Sequence, residues 1–273
     1  MTHSGADIAQ LLSAHGLRPS RALGQNFVAD PNTVRRIARL AGLSSGDRVL
    51  EIGAGLGSLT LALAETGARV VAVETDRLLV PVLRSVVEPA GVEVVEGDAL
   101  TLDVASLLAQ RGAGPWSLVA NLPYNVATPL VLRTLTQVSS VTRLLVMVQR
   151  EVGERMAAAA GESGYGAVSV RVAYFARAEV VGRVPASVFI PRPRVESVLV
   201  RLVRHRAPAV DPALVSYERL DTVVRAGFNQ RRKMLRRALA GVVDPDAFVR
   251  AGVRPEARAE ELDVAAWGRL AAC

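Results

Sequence analysis

The chain has 273 residues, half of them apolar, and a net charge of +7, which allows one large domain and a small one with a substantial core. The single cysteine, Cys273, excludes an intrachain disulfide and a cluster of cysteine ligands, and the three histidines form no ligand pattern, so we expect no metal. No apolar run approaches the roughly 20 residues of a membrane span, and the N-terminus has no signal-peptide layout, so we expect a cytoplasmic protein without membrane contact.

Two helices are predicted near the N-terminus. Residues 7–15 form the first, which ends before Gly16. Asp30-Pro31 is a capping residue followed by a proline at the first helical position, and it begins a second helix that runs to Leu40.

Continuous apolar runs then alternate with helix-like stretches. This alternation is typical of a parallel sheet that is buried on both faces, so we expect an α/β fold. Thr128-Pro129 predicts a capped helix start between the fourth and fifth strands. The predicted strands are residues 48–52, 69–73, 92–95, 116–120 and 144–148, and the first three intervening helices begin near residues 58, 77 and 103.

The pattern changes in the C-terminal half. Residues 167–175 and 195–203 read as two longer strands, and the prolines between them favour an antiparallel pairing. From Asp211 the chain reads as helices to its end. The expected domains are residues 1–206 and 207–273.

A glycine-rich loop, Glu51-Ile-Gly-Ala-Gly-Leu-Gly57, follows the first strand of the predicted sheet. Gly53, Gly55 and Gly57 allow a sharp turn and a close approach of the backbone to a ligand. Alone, such a loop is a weak signal that also fits a dinucleotide fold or a plain tight turn. Its G-x-G-x-G spacing differs from the NAD(P) fingerprint, and no phosphate-binding lysine follows, which excludes a P-loop.

Acidic residues at the ends of the next two strands extend this loop into a nucleoside site. Glu74 lies 21 residues after Gly53, where a carboxylate accepts both ribose hydroxyls. Asp98 is placed to accept from an adenine amine, with the Ala99 N–H nearby. These residues meet at the carboxyl edge of the sheet, and a nucleoside site without a phosphate site favours S-adenosylmethionine over NAD. Glu51 would then face either the methionine amino group of that cofactor or the core.

The tetrapeptide Asn121-Leu122-Pro123-Tyr124 ends the fourth strand. The lone pair of adenine N6 is delocalised into the ring, and acceptors for its two N–H groups would free it. We expect the Asn121 side-chain carbonyl and the Leu122 backbone carbonyl, oriented by Pro123, to be these acceptors. Tyr124 would stack on a flipped base, and the methyl would pass in line to the nitrogen, mainly through positioning. A loop proline beside a core tyrosine is the alternative interpretation.

A basic stretch lies near the C-terminus. Residues 192–237 contain 12 Arg/Lys and 4 Asp/Glu, a net charge of +8. Two basic blocks flank Met234-Leu235, so one helical face can pack while the other stays positive. A solvated surface is the alternative, but the concentration of charge favours polyanion binding with release of counterions. The predicted RNA-binding residues are Arg231, Arg232, Lys233, Arg236 and Arg237.

Short motifs follow one another over nearly the whole chain, at residues 23–27, 51–60, 74, 97–98, 121–129, 165–166, 189–197 and 228–235. In this order they resemble the small-subunit (16S) ribosomal RNA adenine N6,N6-dimethyltransferases. That family usually has Leu at the position of Val28 and Ile-Ser at Val126-Ala127, and both differences are mild. Without the resemblance, the residues support only methylation of an adenine or cytosine amine on some nucleic acid.

The resemblance implies a Rossmann-like class I S-adenosylmethionine methyltransferase fold, with a mostly parallel seven-stranded sheet and a small C-terminal helical domain. It implies an enzyme that acts on two adjacent adenines in a hairpin near the 3′ end of 16S rRNA, in an immature 30S subunit, and adds two methyls to each N6. Nothing in the sequence suggests an obligate dimer, so we expect a monomer. Phe189 would form the second wall of the base pocket, opposite Tyr124. The implied cofactor contacts are Asn26 and Val28, beside Gly53, Gly55, Glu74, Asp98, Ala99 and Asn121.

Other functions remain open. A 23S rRNA adenine methyltransferase of the antibiotic-resistance type shares the chemistry, but commonly carries Phe where Tyr124 stands and lacks the motif at 189–197. A DNA adenine methyltransferase would need a target-recognition insertion, and a small-molecule methyltransferase would not need the basic stretch. A ribosome-assembly factor with dispensable catalysis would use that stretch equally well.

Overall fold

Two units make up the chain in the computed structural model, which describes residues 2–20 and 22–273. The first unit contains the residues up to Gly153 together with Val180–Val203. The second contains Glu154–Glu179 and Arg204–Cys273.

Seven strands form one sheet, and two short strands pair separately. Strands β2 to β6 are joined in parallel pairs, and β9 runs antiparallel to β6. In the order β4-β3-β2-β5-β6-β9-β7, this is the mostly parallel seven-stranded sheet that was expected. The strands are β1 (Phe27–Val28), β2 (Arg48–Ile52), β3 (Arg69–Glu74), β4 (Glu93–Glu96), β5 (Trp116–Asn121), β6 (Val141–Gln149), β7 (Ala176–Val184, in the first unit from Val180 onward), β8 (Phe189–Ile190) and β9 (Ser197–Arg204).

The five strands predicted between residues 48 and 148 are confirmed. Their apolar runs are continuous because β2, β3 and β5 are buried along nearly their whole length. The sheet and the helices around it enclose one hydrophobic cluster, which includes Val49, Leu63, Leu83, Val119 and Met147.

The carboxyl ends of the parallel strands lie at one edge of the sheet. β2 and β3 pair in the register Ile52 to Val73, so Glu74 extends one residue past the end of β2. β5 is also parallel to β2 and ends at Asn121. The residues that follow each strand are therefore neighbours at this edge.

Local capping explains where the first helices begin and end. The Asp30 carboxylate accepts hydrogen bonds from the N–H groups of Asn32 and Thr33, so the predicted cap at the start of the second helix is confirmed. The helix ends at Gly42, whose φ is 61°. The predicted cap at Thr128 is wrong, because the helix begins at Ala127 and has no side-chain cap. The helices are α1 (Gly5–Ala14), α2 (Pro31–Ala41), α3 (Ser58–Ala64), α4 (Val80–Val87), α5 (Val104–Ala109), α6 (Ala127–Gln137) and α7 (Arg150–Ala157).

The second unit is helical, and it corrects one prediction. Residues 167–175 form a helix rather than a strand, and the strand follows at β7. The alternating valines favour a strand locally, but Val170 and Tyr174 are buried in the helical core, and this packing outweighs the local preference. The helices are α8 (Ala167–Phe175), α9 (Tyr217–Asn229), α10 (Leu235–Ala238), α11 (Ala247–Ala251) and α12 (Val264–Ala272).

The division of the chain differs from the expected boundary after residue 206. Residues 154–179 belong to the second unit because Tyr165, Val170 and Tyr174 share a hydrophobic cluster with the C-terminal helices. Among the described residues, no helix is both long and apolar enough to cross a membrane.

Candidate active site

A cleft of about 750 Å³ opens at the carboxyl edge of the sheet. Its walls come from residues 23–28, the glycine loop after β2, Glu74-Thr75 after β3, and the tetrapeptide that ends β5. The cleft therefore brings together most of the residues that the sequence predicted. Those in the lining are Asn26, Val28, Gly53, Gly55, Glu74, Asn121, Leu122, Pro123 and Tyr124.

Three predicted residues lie outside this lining. Asp98 is exposed in the turn after β4, where its Oδ1 accepts from the Leu100 N–H at 2.9 Å, and Ala99 beside it is buried. Phe189 is only 3% exposed and packs in the main hydrophobic cluster. Among the described residues, its ring makes no contact with the Tyr124 ring.

The glycine loop needs its glycines for backbone conformation and for space. Gly53, Gly55 and Gly57 all have positive φ, at 75°, 59° and 85°. A Cβ at Gly57 would lie 2.7 Å from Cγ1 of Val87, and one at Gly55 would lie 3.0 Å from the Phe27 ring. The backbone therefore turns tightly against its neighbours while its other side faces the cleft.

Glu74 holds the glycine loop to the end of β3. Its Oε2 accepts from the Gly55 N–H at 2.7 Å, and its Oε1 accepts from the N–H groups of Thr75 and Asp76 at 2.9 Å. Since a carboxylate has about four acceptor positions, about one remains for a ligand. Burial raises the pKa of Glu74 despite these three hydrogen bonds.

Glu51 contributes a buried carboxyl group to the cleft. It is 1% exposed, and burial, with a smaller contribution from the charge of Glu74, raises its pKa to about 8. Its Oε2 and the Ser58 hydroxyl are buried without a hydrogen-bond partner in the described part of the chain. Buried polar groups are normally paired, so this end of the cleft suits a polar ligand.

Hydrogen bonds set the position of the tetrapeptide. Asn121 Nδ2 donates to the Asn26 carbonyl at 3.0 Å, and Asn26 Nδ2 donates to the Gly24 carbonyl at the same distance. The Leu122 N–H donates to the Met147 carbonyl at 3.1 Å. The Asn121 amide is thereby oriented with its nitrogen engaged, which leaves Oδ1 as its acceptor.

Tyr124 has a partner that sequence reasoning missed. Its hydroxyl lies 2.9 Å from Oγ of Ser197, the fully buried first residue of β9. Burial raises the pKa of Tyr124, so its hydroxyl stays protonated near neutral pH. The only signal in the sequence was that Ser197 closes the motif at 189–197.

Gln25 and Asp76 were not predicted as site residues, yet they tie the loop before β1 to the cleft edge. Gln25 Nε2 donates to Asp76 Oδ2 at 2.6 Å, and Gln25 Oε1 accepts from the Ser20 N–H at 2.7 Å. Asp76 also caps the turn before α4 by accepting from the Leu78 N–H at 3.0 Å. The motif at 23–27 was the available signal for Gln25.

The five predicted RNA-binding residues are all exposed, in the second unit. Residues 231–234 form a turn rather than a helix, and α10 begins at Leu235, which is buried while Met234 is 41% exposed. Two of the five are in ion pairs: Arg231 with Glu260 at 2.7 Å, and Arg236 with Glu256 at 3.4 Å. Within the described residues, Arg232, Lys233 and Arg237 have no such partner.

No group of three or more His, Cys, Asp or Glu side chains could hold a metal ion in the part of the chain that the structure describes.

The chain is similar in sequence to a described family and to named proteins. The profile of the family described as ribosomal RNA adenine dimethylase matches residues 17–272. Ribosomal RNA small subunit methyltransferase A of Acidothermus cellulolyticus is 47% identical, with 97% of this chain and 92% of the relative covered. The protein of the same name from Cutibacterium acnes is 46% identical, with the same coverage of 97% and 92%.

Two solved structures are similar over most of the chain. The dimethyladenosine transferase from Plasmodium falciparum has a TM-score of 0.72 and 25% identity, with 88% of this chain and 94% of that chain covered. The 23S rRNA methyltransferase ErmE has a TM-score of 0.70 and 26% identity, with 90% and 98% covered.

Proposed function

The chain belongs to the ribosomal RNA adenine dimethylase family, and on that premise we propose that it adds two methyl groups to the N6 of each of two adjacent adenines near the 3′ end of 16S rRNA. The observation that carries this proposal is the place of Asn121 in the cleft, with its Nδ2 bonded to the Asn26 carbonyl and its Oδ1 left to accept. The choice of small-subunit RNA is supported by relatives of that name at 47% and 46% identity.

S-adenosylmethionine is the cofactor, and when bound it supplies a methyl group carried on a sulfonium sulfur. The unpartnered Glu51 Oε2 and Ser58 Oγ suit its charged amino-acid end. Glu74 would bind the ribose through its remaining acceptor position, beside Gly53 and Gly55.

The adenine end of the cofactor is assigned to Asp98 and Ala99, and Asn26 and Val28, which line the cleft, are assigned as further cofactor contacts. Support for Asp98 comes from the backbone, because the Gly97 N–H donates to the Glu74 carbonyl at 2.9 Å and so holds this turn beside the ribose site. Asp98 is exposed and has only the Leu100 N–H on its Oδ1.

The tetrapeptide would bind the target amine. Asn121 Oδ1 and the Leu122 carbonyl accept its two N–H groups, which localises the lone pair on nitrogen, and Pro123 fixes the direction of that carbonyl. Tyr124 stacks on one face of the flipped base. Phe189 is proposed for the other face, and its support is its place opposite Val28, a lining residue, in the register of β1 and β8.

The RNA partner is proposed to be the immature 30S subunit, bound by the protein as a monomer in the cytoplasm. Arg231, Arg232, Lys233, Arg236 and Arg237 provide exposed positive charge for phosphates, and the charges of Arg231 and Arg236 are partly offset by their ion pairs with Glu260 and Glu256. Arginine is suited to this task because one guanidinium group can donate two parallel hydrogen bonds to the oxygens of a phosphate.

The test uses purified protein, labelled S-adenosylmethionine and 30S particles from cells that lack this methylation. We expect N6,N6-dimethyladenosine in the 16S rRNA, located by mass spectrometry at two adjacent adenines. A preference for protein-free 23S rRNA would instead favour the activity named for ErmE, to which the fold is similar at 26% identity.

A further inference from the structure

The strongest unused feature of the cleft is the hydrogen bond between Tyr124 and Ser197. The two oxygens are 2.9 Å apart, although the residues are 73 positions apart in the chain. Ser197 is fully buried, and the half-buried Tyr124 lines the cleft. Buried hydroxyls need partners, so each of these groups constrains the other.

Ser197 is a rigid anchor. It is the first residue of β9 and pairs with Gln149 in the antiparallel register with β6. The preceding residue, Glu196, accepts from the Arg150 N–H through its carbonyl at 3.0 Å, and the following residue, Val198, is buried. The backbone of Ser197 is therefore held in place by its pairing with β6 and by the residues before and after it.

Tyr124, by contrast, sits in a turn. The Val126 N–H donates to the Pro123 carbonyl at 3.1 Å, and Leu122 is held to Met147 of β6. These bonds place the start of the tyrosine side chain, but they leave its two torsion angles free. The bond to Ser197 fixes the far end of the side chain, so the position of the ring and the direction of its long axis are set.

We propose that Ser197 is a positioning residue for the methyl transfer: through the hydroxyl of Tyr124 it holds the ring at the position where the target base stacks. This inference rests on the proposed function, because it assumes that Tyr124 contacts a flipped adenine. Ser197 itself touches neither base nor cofactor. Its loss would therefore lower turnover, because a misplaced ring no longer holds the amine in line, while the binding of RNA through the basic residues would be unchanged.

The kinetic test is a double-mutant cycle with Ser197→Ala, Tyr124→Phe and the double variant, on the 30S substrate. We expect Ser197→Ala to lower kcat about ten-fold, the effect of losing one buried hydrogen bond, with KM for both substrates within about two-fold. In the Tyr124→Phe background, Ser197→Ala should have no further effect, because the hydroxyl through which it acts is already absent. Equal losses in both backgrounds, or an unchanged kcat in the single variant, would overturn the proposal.

Ser117→Ala is the matched control. Ser117 is also a buried serine in a strand of the same sheet, 4% exposed, but it lies near the opposite end of β5 from Asn121. We expect its kcat to stay within about two-fold of the wild type. A ten-fold loss there would mean that any buried serine of the sheet affects turnover in this way, which would contradict a specific role for Ser197.

A second measurement does not depend on activity. The chain has four tyrosines, so protein labelled with 3-fluorotyrosine should give four fluorine NMR signals, and Tyr124→Phe identifies the one from Tyr124. We expect Ser197→Ala to shift and narrow that signal alone, because the ring gains freedom. An unmoved signal would overturn the positioning role even if the wild type failed to methylate 30S particles, whereas that failure by itself would count only against the proposed function.

Discussion

Asn121 donates from its side-chain Nδ2 to the main-chain carbonyl of Asn26 at 3.0 Å, across 95 residues of sequence. The bond joins the end of β5 to the loop before β1. It distinguishes the two ends of the amide, since the nitrogen is engaged and the oxygen is the end left for a ligand. The residue that we propose as an acceptor for the target amine is thus oriented before any substrate arrives.

Replacing Asn121 by alanine should remove turnover while leaving part of the cofactor affinity. We expect kcat to fall by about 100- to 1,000-fold, the range for loss of one preorganised hydrogen-bonding group at a reacting centre. Calorimetry with S-adenosylmethionine measures the binding, and labelled-methyl transfer measures kcat. Asn125→Ala, at an exposed position in the same turn, is the control and should retain wild-type turnover. Wild-type turnover in Asn121→Ala would remove the proposed role.

Glu51 should make the folded protein less stable as the pH rises. Burial raises its pKa from the ordinary 4.5 to about 8, so between these values the folded state holds a proton that the unfolded state has lost. Its contribution is fully present below about pH 4.5 and is lost as the pH rises to about 8, with a slope of at most about 1.4 kcal/mol per pH unit.

Urea unfolding of the wild type and of Glu51→Gln across this pH range measures the effect. The difference between the two free energies of unfolding should grow in favour of the variant from pH 5 to about pH 8. A constant difference between wild type and Glu51→Gln would mean that the carboxyl group is ionised throughout.

The basic residues should differ in their contribution to RNA affinity. Arg232→Gln, Lys233→Gln and Arg237→Gln should each lower the slope of log affinity against log salt concentration by about 0.7 to 0.9, the value for one lost phosphate contact. Arg236→Gln combined with Glu256→Gln removes an existing ion pair without changing the net charge, and it should leave the slope nearly unchanged. If the pair variant lowered the slope as much as the single variants do, Arg236 would have to exchange its ion pair with Glu256 for an RNA phosphate on binding.

A side chain at Gly57 should destabilise the protein through both backbone strain and lack of space. A substitution at Gly91 measures the backbone strain alone. Gly57 and Gly91 both have positive φ, at 85° and 78°, but a Cβ at Gly57 would lie 2.7 Å from Val87, while nothing lies within 4 Å of one at Gly91. Gly91→Ala should lower the free energy of unfolding by about 1 to 2 kcal/mol from backbone strain alone. Gly57→Ala should lose about 1 to 3 kcal/mol more from overpacking. Chemical denaturation measures the free energies of unfolding of both variants. Similar losses in Gly57→Ala and Gly91→Ala would mean that helix α4 shifts to make room for the new methyl group.

Much of the fold could be predicted because its signals are local. The strands β2 to β6 are mostly apolar, Asp30-Pro31 marks a helix start, and the glycine loop, Glu74, Asp98 and the tetrapeptide lie at or just after the ends of strands. Where the local signal and the packing disagree, prediction was wrong. The valines of residues 167–175 alternate as in a strand, but the helical core buries Val170 and Tyr174 on one side of α8.

The sequence by itself determined the fold class and the part of the cleft that the strand ends form, because parallel strands bring their carboxyl ends to one edge whatever else surrounds them. Only the tertiary structure decided how those groups act. The orientation of the Asn121 amide, the anchor of Tyr124 on Ser197 and the pairing of Arg236 with Glu256 each depend on a partner far away in the chain. The raised pKa of Glu51 likewise depends on its burial. No local pattern encodes a distance between two such residues, so their chemistry appears only when the chain has folded.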